Sequence, residues 1–293
     1  MLTQNILNAL NPANAPSQGK TPAVLVFSGG QDSVTCLYLA KHFGFDVHAV
    51  TVNYGQRHAA ELDSASKIAH LAGIPHEFIN LGPVLKGTSP LVSTQKLEQY
   101  SDEYSLPGGL EKTFVPMRNQ LFLTLAANRA YCAGTNILIT GVCEEDFGGY
   151  PDCRRSFIDS FESTCTHGTF TGDNGVPLGL KVWTPLMKLS KAETVLLATM
   201  LPGCYAALAY SHTAYDGAYP PTGKDHATLL RSKGFLEAGI PDPLILRAAR
   251  EELMALPCTP NYAPELVRCW TDYARGRWPV EAATTLPRAP VSP

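Results

Sequence analysis

The segment Val24-Leu-Val-Phe27-Ser28-Gly29-Gly30-Gln31-Asp32-Ser33 constrains this chain more than any other, because an apolar run that reads as a buried strand passes through two glycines into a helix start. Without a Cβ at Gly29 and Gly30 the backbone can turn so that amide N–H groups and the positive end of the helix converge on one point. That point suits a phosphate, with Phe27, Gln31 and Asp32 around it and the Ser28 and Ser33 hydroxyls as further donors. No lysine follows in the GxxxxGK[ST] spacing, so this is not the triphosphatase loop in which a lysine reaches the terminal phosphates. The same residues would also serve a plain strand-to-helix turn capped by Asp32 or Ser33.

The rest of the chain repeats the strand-then-helix rhythm. Apolar or β-branched runs at 23–27, 47–52, 76–81, 136–142 and 181–185 read as strands, and helix-period segments lie between most of them, notably 33–43 and 57–72, closed by Gly44 and Gly73. This alternation predicts an α/β fold with a doubly wound, mostly parallel sheet, whose ligand sits beyond the carboxyl ends of the strands. After about Pro202 the strand signal disappears and helical stretches follow at 226–238, 243–254 and 264–274. At 293 residues the chain exceeds one small domain. The expected organisation is a flexible N-terminal extension over 1–20, an α/β domain over 21–202, a helical region over 203–280 and a flexible tail over 281–293.

Composition narrows the function. With 45% hydrophobic and 17% charged residues the chain is globular, and a net charge of −3 provides no positive field to collect a nucleic-acid backbone. No run of about 18 apolar residues marks a membrane span, and Met1 to Lys20 lacks the basic start and apolar block of a secretion signal, so a cytoplasmic protein is expected. The eight cysteines are scattered, with no pair in CxxC spacing, and read mostly as reduced and buried; Cys153 stands apart because of its neighbours.

The string Ser28-Gly-Gly-Gln-Asp-Ser33 resembles the pyrophosphate-cleaving loop of the N-type ATP pyrophosphatases. Four further segments sharpen that likeness: Asn53-Tyr54-Gly-Gln56-Arg57-His58, Phe114-Val-Pro-Met-Arg118-Asn119, Gly149-Tyr150-Pro-Asp152-Cys-Arg154 and Thr184-Pro-Leu-Met-Lys188-Leu-Ser-Lys191. Together they are similar to the 7-cyano-7-deazaguanine synthases, over about 23–243. The resemblance implies an adenine nucleotide alpha hydrolase-like, Rossmann-like fold and an ATP-dependent carbon–nitrogen ligase of queuosine biosynthesis. Its reaction would convert 7-carboxy-7-deazaguanine and ammonia to the nitrile through adenylated acid and amide, with magnesium and without nucleic acid or membrane as partner.

Chemistry gives these residue types work. A carboxylate resists attack by ammonia until adenylation neutralises it and supplies AMP as a leaving group, and charge developing on phosphate calls for magnesium and cations. Arg118, Lys188 and Lys191 are the candidate cations, although each could be a solvated helix-end residue. Asp32 would orient magnesium or the loop, while Asn53, Tyr54, Gln56 and Arg57 would lie beside the nucleotide. A purine-like edge wants an acidic acceptor, an aromatic face and a cation for its carboxylate. Asp152, Tyr150 or Phe147, and Arg154 could meet these needs, with Phe114 and Asn119 nearby, although Asp152 could instead cap the helix that follows.

The chain departs from the family in two places. Four cysteines normally bind zinc just before a Leu-Arg-x-x-Gly-Phe segment, but the aligned positions here are Ala214, Thr222, Asp225 and Thr228, which cannot form that site. His212, Asp225, His226 and Cys204 could assemble a substitute; the alternative is a loop packed without metal by Tyr215, Tyr219, Pro220, Pro221 and Leu229, so zinc is not expected. Met117 replaces the family's usual glycine. These changes leave room for a second function, a zinc-free paralogue that hands an activated deazaguanine to another acceptor such as a protein amine. The family commonly forms dimers, so a homodimer is possible here.

Overall fold

The computed structural model describes residues 2–56, 60–93, 95–102, 110–144, 149–170, 179–275 and 287–289. Arg57, His58 and Phe147 lie outside the described residues.

Five parallel strands make one sheet: β1 (Pro22–Val26), β2 (Asp46–Asn53), β3 (His76–Asn80), β4 (Ile137–Ile139) and β5 (Lys181–Trp183), in the order β3-β2-β1-β4-β5. Leu25 pairs with Ala49 on one side and Ile139 on the other. Strands covered on both faces can be apolar throughout, which is why Ala23, Val24 and Leu25 run without a polar residue and are all buried. The chain leaves β1 toward β2 on one side and returns to β4 on the other. The switch point therefore falls between β1 and β4, and a ligand crevice opens there beyond their carboxyl ends.

The helices cover both faces: α1 (Gln4–Leu10), α2 (Gln31–His42), α3 (Ala60–Ala72), α4 (Arg118–Cys132), α5 (Arg155–Gly168), α6 (Lys191–Met200), α7 (Cys204–Leu208), α8 (His226–Ala238), α9 (Pro243–Arg250) and α10 (Pro264–Ala274). One core cluster joins α2, the sheet, α6, α7 and the later helices, with Leu39, Val195, Tyr205 and Trp270 at its centre. A second lies on the opposite face between α4 and α5. The helical region past residue 203 thus shares its core with the α/β unit. Helix α8 packs so tightly on α6 that a Cβ on Gly234 would come within 2.8 Å of the Lys191 Cβ.

Described residues near both chain ends pack onto the core. The first residues form α1, whose Ile6 is fully buried and whose Asn5 Nδ2 donates to Glu193 at 3.3 Å. Ile6 and Ala9 sit three apart and form one short apolar stripe, a signal hidden by the turn residues that follow. Near the other end the Ala289 N–H donates to the Gly239 carbonyl at 2.8 Å, and Trp270 Nε1 donates to the Pro287 carbonyl at 3.1 Å.

Candidate active site

The crevice at the switch point is a cavity of about 340 Å³. Four helices begin on its wall, contributing Gln31, Asp32 and Ser33 from α2, Arg118 and Asn119 from α4, Lys191 from α6, and His226 and Ala227 from α8. The first N–H groups of a helix lack intrahelical acceptors and carry its partial positive charge, and the α2 and α4 starts, which have no side-chain cap, make this hollow favourable for an anion.

The loop after β1 is shaped for it. Gly29 has φ +77, and a Cβ there would lie 2.6 Å from the Ala65 nitrogen of α3, so only glycine permits this turn to pack against that helix. Gly30 caps α2 without any side-chain bond, which leaves the α2 amides for a ligand. The Ser33 hydroxyl donates to the Gly30 carbonyl at 3.0 Å, and the Ser28 and Ser33 oxygens are 3.2 Å apart. Lys191 Nζ donates to Asp32 Oδ2 at 2.7 Å, placing a cation and a carboxylate at the mouth of the loop. Gly141, just past β4, closes the other side: a Cβ there would meet the Asp32 carbonyl carbon at 3.0 Å.

Arg118 is half-buried at the start of α4 behind Met117, whose φ is 65. Burial works against the Arg118 charge, but the Tyr54, Tyr215 and Tyr150 hydroxyls around it outweigh burial and shift its pKa upward, so the guanidinium stays charged. Glu61 faces it: burial raises that carboxyl while Arg118 pulls it back. Tyr150 shares a 2.7 Å hydrogen bond with Thr113, and its ring centroid lies 5.3 Å from that of Phe114. Asn119 Nδ2 donates to the Asp152 carbonyl at 3.3 Å and approaches Cys153 Sγ at 3.5 Å.

Of the candidates read from the sequence, Phe27, Ser28, Gly30, Gln31, Asp32, Ser33, Tyr54, Gln56, Arg118, Asn119, Tyr150 and Lys191 share this wall. Gly29 supports it from behind. Others stand off it. Asn53 bonds Asn80 at 3.0 Å and accepts the Gly55 N–H at 3.2 Å, so it shapes the turn. Phe114 backs Tyr150, and Asp152 lies beneath Cys153 with its Oδ1 buried and unpartnered. Arg154 is exposed at the start of α5. Lys188 is exposed and off this wall, because Met187 and Leu189 on either side are buried, which turns Lys188 outward.

Several wall residues were not singled out from the sequence, among them Glu61, Gly141 and Thr213, while Tyr215 and His226, read there only as loop packing and as part of a substitute metal set, also lie on it. The later ones come from a segment bound over the loop: His212 N–H donates to the Gly29 carbonyl at 3.2 Å. Burial lowers the His212 pKa against the opposing effect of its Nε2 hydrogen bond to the Ala214 carbonyl at 2.8 Å, a bond that places a proton on Nε2.

The residues at the aligned zinc positions do not fit that metal. Asp225 caps α8, accepting the Thr228 N–H at 3.1 Å and the Thr228 hydroxyl at 2.9 Å. Thr222 donates to Asp216 at 3.0 Å, and Ala214 is buried. Tyr219 and Tyr210 hold Arg247 between their rings, at 4.4 and 4.8 Å from the centroids, while the Tyr219 hydroxyl donates to Glu251 at 2.6 Å. Among the described residues, no three His, Cys, Asp or Glu side chains gather as a metal set.

A doubly wound parallel sheet with a glycine loop and four helix starts around its switch-point hollow defines a nucleotide-using α/β enzyme. Comparison with known proteins makes this specific. The sequence model of the family described as "Queuosine biosynthesis protein QueC" matches residues 22–239, and the chain belongs to that family. A 7-cyano-7-deazaguanine synthase from Gloeobacter violaceus is 52% identical over 225 residues, covering 76% of this chain and 94% of that one. Proteins of the same name from Chromobacterium violaceum and Laribacter hongkongensis are 47% and 44% identical, each covering 78% of this chain and 95% of the relative. The likeness read from the sequence motifs is thereby shown. Among the described residues, no helix is long and apolar enough to cross a membrane.

Proposed function

We propose that this enzyme converts 7-carboxy-7-deazaguanine, ammonia and ATP to 7-cyano-7-deazaguanine. The observation that carries the reading is the meeting of the α2 start, Lys191 and Arg118 on one cavity in a chain of this family. The Gly30 to Ser33 amides and the Ser28 hydroxyl hold the outer phosphates, with Tyr54 and Gln56 beside the nucleotide. A carboxylate oxygen of the substrate attacks the α-phosphorus, the bond to the β-phosphate oxygen breaks, and pyrophosphate leaves. Ammonia then adds to the acyl carbon, AMP departs with the electron pair, and a proton passes to solvent. The amide oxygen takes a second adenylyl group in the same way as one N–H proton passes to solvent, and loss of AMP and the remaining N–H proton leaves the carbon–nitrogen triple bond.

Arg118 stays charged and neutralises the developing anion. Asn119 and Tyr150 form the side of the hollow that receives the base, Tyr150 offering its ring. Magnesium, which binds through one or two carboxylates and the substrate's phosphates, fits the Asp32 carboxylate at this mouth and would supply charge neutralisation there. The loop of residues 214–228 works without zinc. A small free base and ATP as substrates place the protein in the cytoplasm, with no nucleic acid or membrane as partner.

Incubation of the purified protein with the acid, ATP, magnesium and ammonium should yield the nitrile by mass spectrometry, with pyrophosphate and AMP released. AMP release without nitrile would transfer the reading to an enzyme that delivers the activated base to another acceptor.

A further inference from the structure

His226 opens α8, a helix of 13 residues whose first turn faces the cavity. The side chain is 5% exposed, and its Nε2 has no hydrogen-bond partner among the described residues. A buried polar atom without a partner costs about 1–3 kcal/mol, so a ring held this way at a cavity wall is matched to something that enters the cavity.

Its surroundings identify what enters. Arg231, on the same helix, donates to Thr213 at 3.0 Å and to Ser211 at 2.7 Å, and the next residue in that segment, His212, donates to the Gly29 carbonyl. Gly234, further along α8, rests on Lys191, which pairs with Asp32 at the α2 start. The helix that carries His226 is therefore fastened to the glycine loop and to the cation beside it. An imidazole here can supply one N–H, and the ligand atoms expected in a cavity that also holds the uncapped α2 start and the Lys191 cation are phosphoryl oxygens.

We infer that His226 is a binding residue for the pyrophosphate end of the nucleotide, donating from Nε2 to a phosphoryl oxygen and holding the leaving group during both adenylations. This rests on the nucleotide reading above and adds a ligand that the glycine loop does not contain.

The test uses inorganic pyrophosphate as an inhibitor of the full-length enzyme, alongside KM values for ATP and for the acid. His226→Phe, which fills the space without a donor, should weaken pyrophosphate inhibition and raise the KM for ATP about tenfold, while leaving the KM for the acid unchanged. His226→Gln, whose amide nitrogen can reach a similar position, should recover most of the inhibition; a merely structural role would give no such recovery. Equal inhibition of wild type and His226→Phe, or an effect confined to the acid, overturns the assignment while leaving the nucleotide reading intact. Indifference of the wild-type enzyme to pyrophosphate overturns both.

Discussion

Arg231 and Asp242 form a two-pronged buried ion pair, Nε to Oδ2 at 2.6 Å and the second guanidinium nitrogen to Oδ1 at 2.8 Å. Asp242 also accepts the Leu244 N–H at 2.9 Å to begin α9, and Arg231 reaches the 208–213 segment that overlies the glycine loop. One pair thus ties two helices to the cavity wall. Removing one partner strands the other charge, so Asp242→Asn should lower the unfolding free energy by about 3–5 kcal/mol in urea denaturation. A loss below about 1 kcal/mol would show that the pair behaves as an exposed one.

Met117 holds a left-handed backbone conformation, φ 65, with a side chain 64% exposed. Such a conformation costs a residue with a Cβ about 1–2 kcal/mol, partly offset in glycine by its greater unfolded freedom. Met117→Gly should stabilise the protein by about 1 kcal/mol in the same assay. Destabilisation would show that the Met117 side chain makes a contact worth more than the strain.

Lys191 and Lys188 make a matched test of which cation serves the chemistry. Lys191→Ala should reduce kcat/KM by about 100-fold, in the range expected when a group stabilising developing charge is lost. Lys188→Ala should stay close to wild type. The opposite ranking would move the functional cation to the outer turn.

Burial raises the Asp152 carboxyl above its ordinary value, against the pull of Arg118 and the Asn119 hydrogen bonds. The folded chain therefore binds this proton more tightly than the unfolded one. Its stabilising contribution is complete below about pH 3.9 and is lost as pH rises through the folded value. Asp152→Asn in the ligand-free protein should gain melting temperature relative to wild type at pH 7 compared with pH 4. A gain that is the same at both pH values, or larger at pH 4, would contradict this.

The 214–228 loop should ignore chelators. Dialysis against a strong chelator should leave the melting temperature unchanged, with far less than one zinc per chain by elemental analysis. Tyr219→Ala, which opens the clasp on Arg247, should lower the melting temperature instead. One tightly held zinc per chain would overturn the metal-free reading.

Much of this arrangement can be read along the chain. The 23–27 and 181–185 runs lie within two residues of β1 and β5, and the 226–238 and 264–274 patterns coincide with α8 and α10, because apolar periodicity and caps such as Asp225 act locally. The glycine loop after β1 is legible for the same reason, its strand, glycines and helix being contiguous. The outward direction of Lys188 is not legible, because the motif gives proximity in sequence but not the direction of a side chain between two buried neighbours. His226 and Tyr215 are read from the sequence as parts of the 214–228 loop and not of the cavity, because α8 and the segment before it reach the cavity only through the packing of α8 on α6 and the bonds from Arg231, contacts between residues far apart in sequence.

The Asp225–Thr228 cap and the Asp216–Thr222 bond have a consequence for the cell that makes this protein. A thiolate cluster loses its ion when supplies run short, and peroxide can oxidise its sulfurs. A loop knit here from carboxylate and hydroxyl presents no sulfur at these four positions for an oxidant to attack.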